Sequence, residues 1–495
     1  MRAKSYLEWA VCIAGGSYIL LFLGLTVLRL IYPYEIEWLE GAILDHAIRV
    51  LDGKPLYTAP SLEFSAFIYT PIYYYVVALV MQVTGIAMVA GRLVSLLSTL
   101  ATAVLISHIT QRETESKLLT FSSAALYIAF FHETGYFYDI VRMDALALLL
   151  AVAAIYVALY AKRGPIIAAI LITLAYFTKQ QMICFWPAFT FWFLIRGGVP
   201  FKERRKQAFV FTGVSLGLIL ITSLALNAAS HGWFAFYTLR LPSAKTHLFF
   251  STQRAIAFFH IKMLGTFALT TIVIAFACIV GLYRSLKEGS RYFLLLLCYF
   301  ASILAASLSM GNAGGYKNVL MPLAATIAIL FPICLQRIVL NLKLQENLVQ
   351  WILLFEFFAL AFNPLGEKML LASSRQQKAG DEFMAKLKTI PGDVWIPMHG
   401  YLNRLAGKPM HPHFMAMNDA LSIQDTTSTR LQREIDSAYS THHFAAIILD
   451  EDHSFPPDSI PYYSLRGKIF QTPNVFISRL ADEATRPQYI YLPAP

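Results

Sequence analysis

The sequence predicts an all-α polytopic membrane protein with a small α/β domain at its C-terminal end. Of its 495 residues 57% are hydrophobic and only 14% are charged, whereas a soluble domain carries about 25% charged residues. The apolar residues form long runs, such as 9–32, 208–226 and 318–335, and runs of roughly 18 or more are typical of membrane-spanning helices. The composition therefore excludes a cytosolic enzyme, a disordered chain and a disulfide-stapled secreted domain.

Hydropathy and the distribution of positive charge together predict about eleven spans. The first apolar run has no clear cleavage site, so we interpret it as a retained span. The segment 71–89 is also apolar, but a crossing there would put the basic cluster 202–206 outside. We therefore interpret 71–89 as a juxtamembrane or re-entrant segment in the first outer loop. The predicted spans are 9–32, 92–110, 118–133, 143–161, 165–179, 182–195, 207–226, 258–283, 292–309, 318–336 and 348–362.

This topology places the N-terminus in the cytoplasm and the C-terminal segment in the periplasm, which predicts a bacterial cytoplasmic (inner) membrane protein. The net charge of +10 is then explained by basic cytoplasmic loops, without nucleic acid as a partner. The five cysteines all lie in apolar stretches and form no CxxC pair, so neither a zinc site nor a disulfide framework is indicated. The predicted domains are 1–362, transmembrane, and 363–495, extracytoplasmic.

The polar segment after residue 363 alternates helix-like and strand-like stretches. Helical patterns cover 367–388 and 419–439, and short β-like runs cover 393–398 and 444–449. A hairpin over 468–480 is predicted around Pro473 and Asn474. We interpret His411, His413 and Asp419 as ordinary surface polar residues, with contact to an acceptor as the alternative.

Four carboxylates follow the first predicted span, at Glu35, Glu37, Glu40 and Asp45, and the last three are the ones considered as candidates. Carboxylates beside lipid are costly unless they face water, a cation or a substrate, so they indicate a general base or a carboxylate that orients a nucleophile. Acids are also favoured at the start of any helix. Spacing alone does not decide between the two interpretations.

Further charges enter later spans on the same predicted face. Asp139, Arg142 and Asp144 are interpreted either as a mutual ion pair or as a group in which Arg142 binds phosphate and an acid binds a sugar. Lys179 interrupts two apolar stretches and either reaches the surface or binds phosphate. A glycine-rich turn precedes Lys317, which offers another cation, although such a turn is weak evidence by itself.

Together these elements place acids, cations and aromatic rings at one membrane face, which suits a lipid-linked anionic substrate. The sequence contains no P-loop, HExxH or GxSxG motif, so ATP-driven transport, zinc proteolysis and serine hydrolysis have no support.

The order of these motifs resembles the GT-C superfamily of integral-membrane glycosyltransferases, in particular the group with the protein O-mannosyltransferases and the aminoarabinose transferase of lipid A. The resemblance covers most of residues 1–330. The matching stretches are 37–41, 47–53, 55–57, 69–75, 91–93, 135–144 and 178–179. One departure concerns the Asp-Glu pair that relatives often carry in the first loop: Glu40 fits its glutamate, and Leu39 stands where the aspartate would be. Glu37 is the candidate that supplies the missing carboxylate.

The resemblance implies inverting transfer of a sugar from a polyprenyl-phosphate donor to a lipid, glycan or protein acceptor at the outer face of the membrane. It implies that an acidic residue of the first loop acts on the acceptor hydroxyl and that basic residues hold the phosphate. Relatives with such donors generally work without a metal, so no cofactor is expected. The catalytic candidates are Glu37, Glu40, Asp139 and Asp144. The donor-binding candidates are Tyr57, Tyr69, Arg92, Arg142, Lys179, Tyr316 and Lys317.

A carrier or flippase for a lipid-linked or anionic saccharide is the alternative, with the same charges as a gate. Transporters usually place essential charges near the midplane and show repeat symmetry, and neither feature is visible in the sequence. A structural or sensory membrane protein is a third option.

Overall fold

The computed structural model describes residues 2–288, 291–312, 314–345, 347–361, 373–450, 462–478, 480 and 485–495. It is mostly helical, with a small sheet in the C-terminal part, as the sequence predicts. The helices of the first part are α1 Arg2–Leu30, α2 Glu40–Leu51, α3 Ile72–Thr84, α4 Met88–Thr114, α5 Lys117–Ala129, α6 Asp144–Tyr160, α7 Gly164–Thr178, α8 Trp186–Ile195, α9 Phe201–Ala229, α10 Trp233–Ala235, α11 Leu241–Phe249, α12 Thr252–Ile261, α13 Ala268–Glu288, α14 Arg291–Gly311, α15 Met321–Asn341 and α16 Asn347–Ala361.

Every predicted span coincides with helical structure, but the number of crossings stays a prediction. Among the described residues, five helices are long and apolar enough to cross a membrane, and a bent pair makes a sixth. The remaining predicted spans, including α5, α7 and α16, are apolar helices of 10–17 residues or shorter pieces. At 1.5 Å per residue such helices fall short of a hydrocarbon layer about 30 Å thick.

Two predicted spans differ from continuous helices. The helix expected over 258–283 is bent by 89° between Thr266 and Ala268. A π-helical turn, Lys262–Thr266, follows α12 just before this bend. The span expected over 182–195 begins as a tight 3-10 turn, Gln180–Phe185, and becomes α-helical only at Trp186. A proline in the first turn of α8 is suited to a helix start because it has no N–H to donate.

The core of the helical part surrounds α15. Its apolar segment is completely buried, because α4, α5, α13 and α14 all pack against it. By contrast, only 11% of the apolar window of α9 is buried. That helix therefore exposes an apolar face that requires lipid around it.

The C-terminal part consists of four helices and one sheet. The helices are α17 Ser374–Thr389, α18 Gly400–Leu405, α19 Phe414–Leu421 and α20 Thr426–Ser440; the strands are β1 Val394–Trp395, β2 Ala446–Asp450, β3 Tyr463–Lys468 and β4 Pro487–Pro493. The strand order is β1-β2-β4-β3, with β1 and β2 parallel and the other pairs antiparallel. The predicted domain boundary at residues 362 and 363 lies outside the described residues and stays a prediction.

The predicted hairpin over 468–480 is wrong. Lys468 ends β3, and the partner of β3 is β4, with Lys468 opposite Tyr489. The reason is that β4 lies inside the sheet and supplies hydrogen bonds to both β2 and β3. The interpretation of His411, His413 and Asp419 as surface residues is also wrong, because all three side chains are buried.

The first loop, residues 31–39 between α1 and α2, lies between the two parts. The Tyr34 hydroxyl donates to Asp381 at 2.6 Å, and the Leu480 amide donates to the carbonyl of Ile36 at 3.3 Å. Aromatic side chains of the loop, Tyr32 and Tyr34, belong to the same buried apolar cluster as Phe383 and Phe476. The C-terminal part is therefore packed directly on the loop that carries Glu37.

Close packing near this loop makes Gly91 a sensitive position. A Cβ on Gly91 would lie 2.5 Å from a methyl carbon of Val141, whereas nothing lies within 4 Å of a Cβ on Gly24. We expect Gly91→Ala to destabilise the protein by about 1–3 kcal/mol through overpacking. Gly24→Ala is the matched control and is expected to be neutral or stabilising, by up to about 1 kcal/mol, because alanine favours helix. Thermal unfolding in detergent checks both; equal melting temperatures for the two variants would contradict the prediction.

Candidate active site

A fully buried ion pair between Arg92 and Glu40 anchors the first loop. The Arg92 Nε and one Nη donate to the two carboxylate oxygens of Glu40 at 2.9 and 2.7 Å. Its remaining N–H groups donate to the backbone carbonyls of Arg29, Tyr32 and Tyr34 at 2.6–2.7 Å. All five donors of the guanidinium are thus used.

Glu40 is equally saturated. Its oxygens also accept the backbone N–H groups of Ile36 at 2.7 Å and Val141 at 3.0 Å. Burial raises the pKa of this carboxyl, but the Arg92 guanidinium outweighs it and holds the pKa below its usual value. In this conformation the donors of Arg92 and the oxygens of Glu40 are all used within the protein. The expected roles of Glu40 as a base and Arg92 as a phosphate ligand stay predictions, and these contacts favour a supporting role for both.

Asp139 lies against Arg29, the last basic residue of α1. The Arg29 Nε is 3.2 Å from a carboxylate oxygen of Asp139, and both side chains are buried. Burial raises the pKa of Asp139 to about 6, against the opposing effect of Arg29. Arg29 was missed as a partner because an arginine at the end of an apolar run resembles an ordinary flanking charge. The pair joins α1 to the loop before α6, which makes a supporting role fit Asp139 better than a catalytic one.

Glu37 and Arg142 form a different kind of pair. An Nη atom of Arg142 is 3.7 Å from a carboxylate oxygen of Glu37, which is too long for a hydrogen bond. The Nε and this Nη atom of Arg142 are buried and have no hydrogen-bond acceptor within the described ranges. The guanidinium carbon lies 5.5 Å from the centre of the Phe137 ring. A buried cation with unused donors is a ready site for an anion.

Glu37 is 1% exposed and accepts one hydrogen bond from the Leu39 amide at 3.1 Å. Burial raises the pKa of its carboxyl to about 7; Arg142 opposes this effect, and the charge of Glu40 adds to it. A carboxyl with a pKa near neutrality is suited to accept a proton in a reaction at that pH.

Asp144 connects three helices at the same site. It forms an ion pair with Lys179, which follows α7, and accepts a hydrogen bond at 2.9 Å from the amide of Asn318, just before α15. Its second oxygen is buried without a partner among the described residues. Asn318 was not a candidate, because a lone asparagine beside a glycine-rich turn carries no specific signal.

Two tyrosines of the first outer loop, Tyr57 and Tyr69, lie beside these charged residues. Burial is the main cause that raises the pKa of the Tyr69 hydroxyl. The charges of Arg142, Asp144 and Glu37 lie close enough to affect this pKa as well. Tyr57 lies behind Tyr69: its hydroxyl donates to the Tyr69 carbonyl at 2.8 Å, and its ring packs edge-on against Phe234. These contacts make Tyr57 a support of Tyr69 in this structure, and its predicted contact with the substrate stays a prediction.

The glycine-rich turn reaches the site from α14. The ring of Tyr316 lies 5.4 Å from that of Phe137, the ring beneath Arg142. A Cβ on Gly135 would lie 2.7 Å from the Tyr316 ring and 3.1 Å from the Cβ of Lys317. Gly135 thus permits the close approach that brings Lys317 to the site, and its positive φ of 73° is also suited to glycine.

The described residues contain no group of three or more His, Cys, Asp or Glu side chains arranged to hold a metal ion. The acids of the site are instead paired individually with arginine or lysine. The expectation that no cofactor is needed stays a prediction.

Comparisons with known proteins agree on the architecture. The family described as dolichyl-phosphate-mannose-protein mannosyltransferase matches residues 69–225, less than half of the chain. ArnT from Cupriavidus metallidurans, solved with undecaprenyl phosphate, superposes with a TM-score of 0.59 at 10% identity, over 96% of this chain and 97% of that chain. The chain has the GT-C fold.

A second GT-C structure of different size supports the same conclusion. The archaeal oligosaccharyltransferase AglB from Archaeoglobus fulgidus, in complex with an inhibitory peptide and a dolichol-phosphate, gives a TM-score of 0.52 at 12% identity, over 99% of this chain and 74% of that chain. No individual curated protein matches the sequence. At these identities the likeness concerns the fold, and the resemblance to the GT-C superfamily seen in the sequence is confirmed at that level.

Arg92 and Arg142 are predicted to differ in how much they contribute to the stability of the protein. Arg92→Gln leaves Glu40 buried without its cation, and we expect a loss of about 3–5 kcal/mol in stability. Arg142→Gln also leaves a buried carboxyl, that of Glu37. However, no hydrogen bond joins the two groups, and the raised pKa of Glu37 lets it take up a proton, so thermal unfolding should change much less than in Arg92→Gln. Melting temperatures of the two purified variants test this; an Arg142 variant as unstable as the Arg92 variant would contradict our division of roles.

Proposed function

We propose that this chain transfers a sugar from a polyprenyl-phosphate-linked donor to a hydroxyl group of a lipid, glycan or protein acceptor, with inversion at the sugar. The observation that carries the proposal is the buried guanidinium of Arg142, with unused donors, beside the carboxyl of Glu37. This pairing offers a binding group for the leaving phosphate and a base for the attacking hydroxyl 3.7 Å from each other.

In this mechanism Arg142 binds the phosphate oxygens and stabilises the charge that grows on them as the glycosidic bond breaks. Two nearby lysines add positive potential. Lys179 is already paired with Asp144, so it acts mainly through its field, whereas the partly exposed Lys317 is suited to direct contact. Glu37 accepts the proton of the acceptor hydroxyl as the new bond forms, and Arg142 stays beside both partners.

The fold neighbours support the class of donor. ArnT is solved with undecaprenyl phosphate and AglB with a dolichol-phosphate and a peptide. We infer that this chain likewise uses a long-chain isoprenoid phosphate carrier and works in the bacterial cytoplasmic membrane, on its outer face. The ion pairs among the acids and cations near the helix ends, such as Glu37 with Arg142 and Asp144 with Lys179, support this more than a carrier function.

The decisive experiment measures transfer by the purified chain in sealed proteoliposomes. The donor is a radiolabelled polyprenyl-phosphate sugar, and the acceptor is a total envelope fraction of lipid and protein. We expect Glu37→Gln to lower kcat/KM by about 100-fold or more, as for loss of a general base. Glu63→Gln, an exposed carboxyl of the first outer loop, is the control and should be neutral. Movement of intact donor without release of polyprenyl phosphate would indicate a carrier instead.

The same assay predicts a dependence on pH. Glu37, which faces Arg142, Glu40 and Glu35, has its pKa raised by burial to about 7. A base must be deprotonated, so activity should fall as the pH drops below this value and should level off above it. A profile that does not change between pH 5.5 and 8 would remove Glu37 from the role of base.

The sidedness of the site is tested separately with single cysteines, after replacement of the five native ones. Lys54 and Arg433 are exposed residues of the first outer loop and of α20, and Lys202 is an exposed residue at the start of α9. In intact spheroplasts a membrane-impermeant maleimide should label Lys54→Cys and Arg433→Cys but not Lys202→Cys. Labelling of all three, or of Lys202→Cys alone, would contradict the proposed outer-face site.

A further inference from the structure

A second buried charge cluster, outside the proposed site, connects the C-terminal part to the first loop. His399, just before α18, lies between two carboxylates: its Nδ1 contacts Glu35 of the loop, and its Nε2 is 3.1 Å from Asp450 at the end of β2. All three side chains are buried. No role in the proposed chemistry uses them.

The geometry of the cluster favours a charged histidine, although burial also raises the pKa of the Glu35 carboxyl. Each ring nitrogen faces a carboxylate oxygen, and both nitrogens of an imidazole donate only when it is protonated. Burial lowers the pKa of His399, but Asp450 and Glu35 outweigh it and raise the pKa to about 10. At neutral pH an imidazolium therefore bridges the loop and the sheet.

Glu35 also binds the backbone at the start of α2. Its other carboxylate oxygen accepts the Gly41 amide at 3.1 Å. A Cβ on Gly41 would lie 2.1 Å from that oxygen, so only glycine permits the contact. Glu37 lies between Glu35 and Gly41 in the sequence. His399 holds this segment through Glu35, and Arg92 holds it through Glu40.

The rest of the loop is held by the same part of the chain. The Ser478 hydroxyl donates to the Glu35 carbonyl at 3.3 Å, and Glu37 forms an isolated parallel bridge with Leu480. Apart from that bridge the loop has no regular secondary structure before α2. Its conformation therefore depends on contacts from outside, and the bridge through His399 is the only charged one that the described C-terminal residues make to Glu35.

We propose that His399 is a positioning residue: its imidazolium, bound to Glu35 and Asp450, holds the first loop so that Glu37 faces Arg142, which makes the C-terminal domain a working part of the transfer site. This inference rests on the proposed function. It predicts that loss of the bridge impairs the chemical step and leaves the phosphate site at Arg142 intact.

The test compares His399→Gln with His411→Gln in the full-length protein in nanodiscs. His411 is a matched control, because it is also a buried histidine of the C-terminal part. It is bonded to Asp393 and to the Leu62 carbonyl, and not to residues 31–39 of the first loop. We expect His399→Gln to lower kcat by about 100-fold, as for a misplaced reacting group, with KM for the labelled donor unchanged. His411→Gln should retain the kcat of the unaltered protein at a temperature where both variants are folded.

Hydrogen–deuterium exchange of the segment 32–40 supplies a readout that does not depend on activity. His399→Gln should increase exchange there, and His411→Gln should not. Equal kcat, or unchanged exchange in that segment for His399→Gln, would overturn the proposal even if the unaltered protein is a transferase. If the unaltered protein shows no transfer, the proposed function fails, and faster exchange in His399→Gln would then establish only the mechanical link.

Discussion

The Arg92–Glu40 ion pair is the interaction on which the arrangement of the site depends. Two charges removed from water cost several kcal/mol each, and their attraction offsets that cost only when the remaining donors and lone pairs are also satisfied. Here they are satisfied by backbone groups of the first loop and of Val141. The pair therefore acts as a template that gives an otherwise irregular loop one conformation.

The degree to which their hydrogen-bonding groups are satisfied distinguishes the two arginines beside Glu37 and Glu40. Arg92 and Arg142 are both buried arginines close to a glutamate, yet one has every donor filled and the other has buried N–H groups without an acceptor. A protein tolerates an unsatisfied buried cation when a ligand completes it. The same reasoning separates Glu40, which accepts five hydrogen bonds, from Glu37, whose pKa burial has raised to about 7.

The C-terminal part is integrated with the membrane helices more closely than its composition suggests. Apolar clusters cross between the two parts, with Tyr401 and Ala416 packed among residues of α2 and α3. Ion pairs do the same on the other side, where Lys245 of α11 binds Asp419 at 2.5 Å. The two predicted domains thus differ in composition, since one has apolar surfaces suited to lipid and the other is polar. They are nevertheless packed against each other around the first loop.

By itself, the sequence determined the membrane class, the places of the helical segments, the mixed C-terminal part and most of the charged residues of the candidate site. These follow from local properties: apolar runs need lipid, and charges at helix ends need partners. Only the tertiary structure decided which acid pairs with which cation, because hydrogen-bond saturation depends on backbone groups far away in the chain. Glu37 and Glu40 stand on the same short segment of the sequence, and what distinguishes them is the position of Arg92, Val141 and Arg142 around them. The bridge through His399 has the same origin, since its two carboxylates come from residues 35 and 450 and no local pattern connects them.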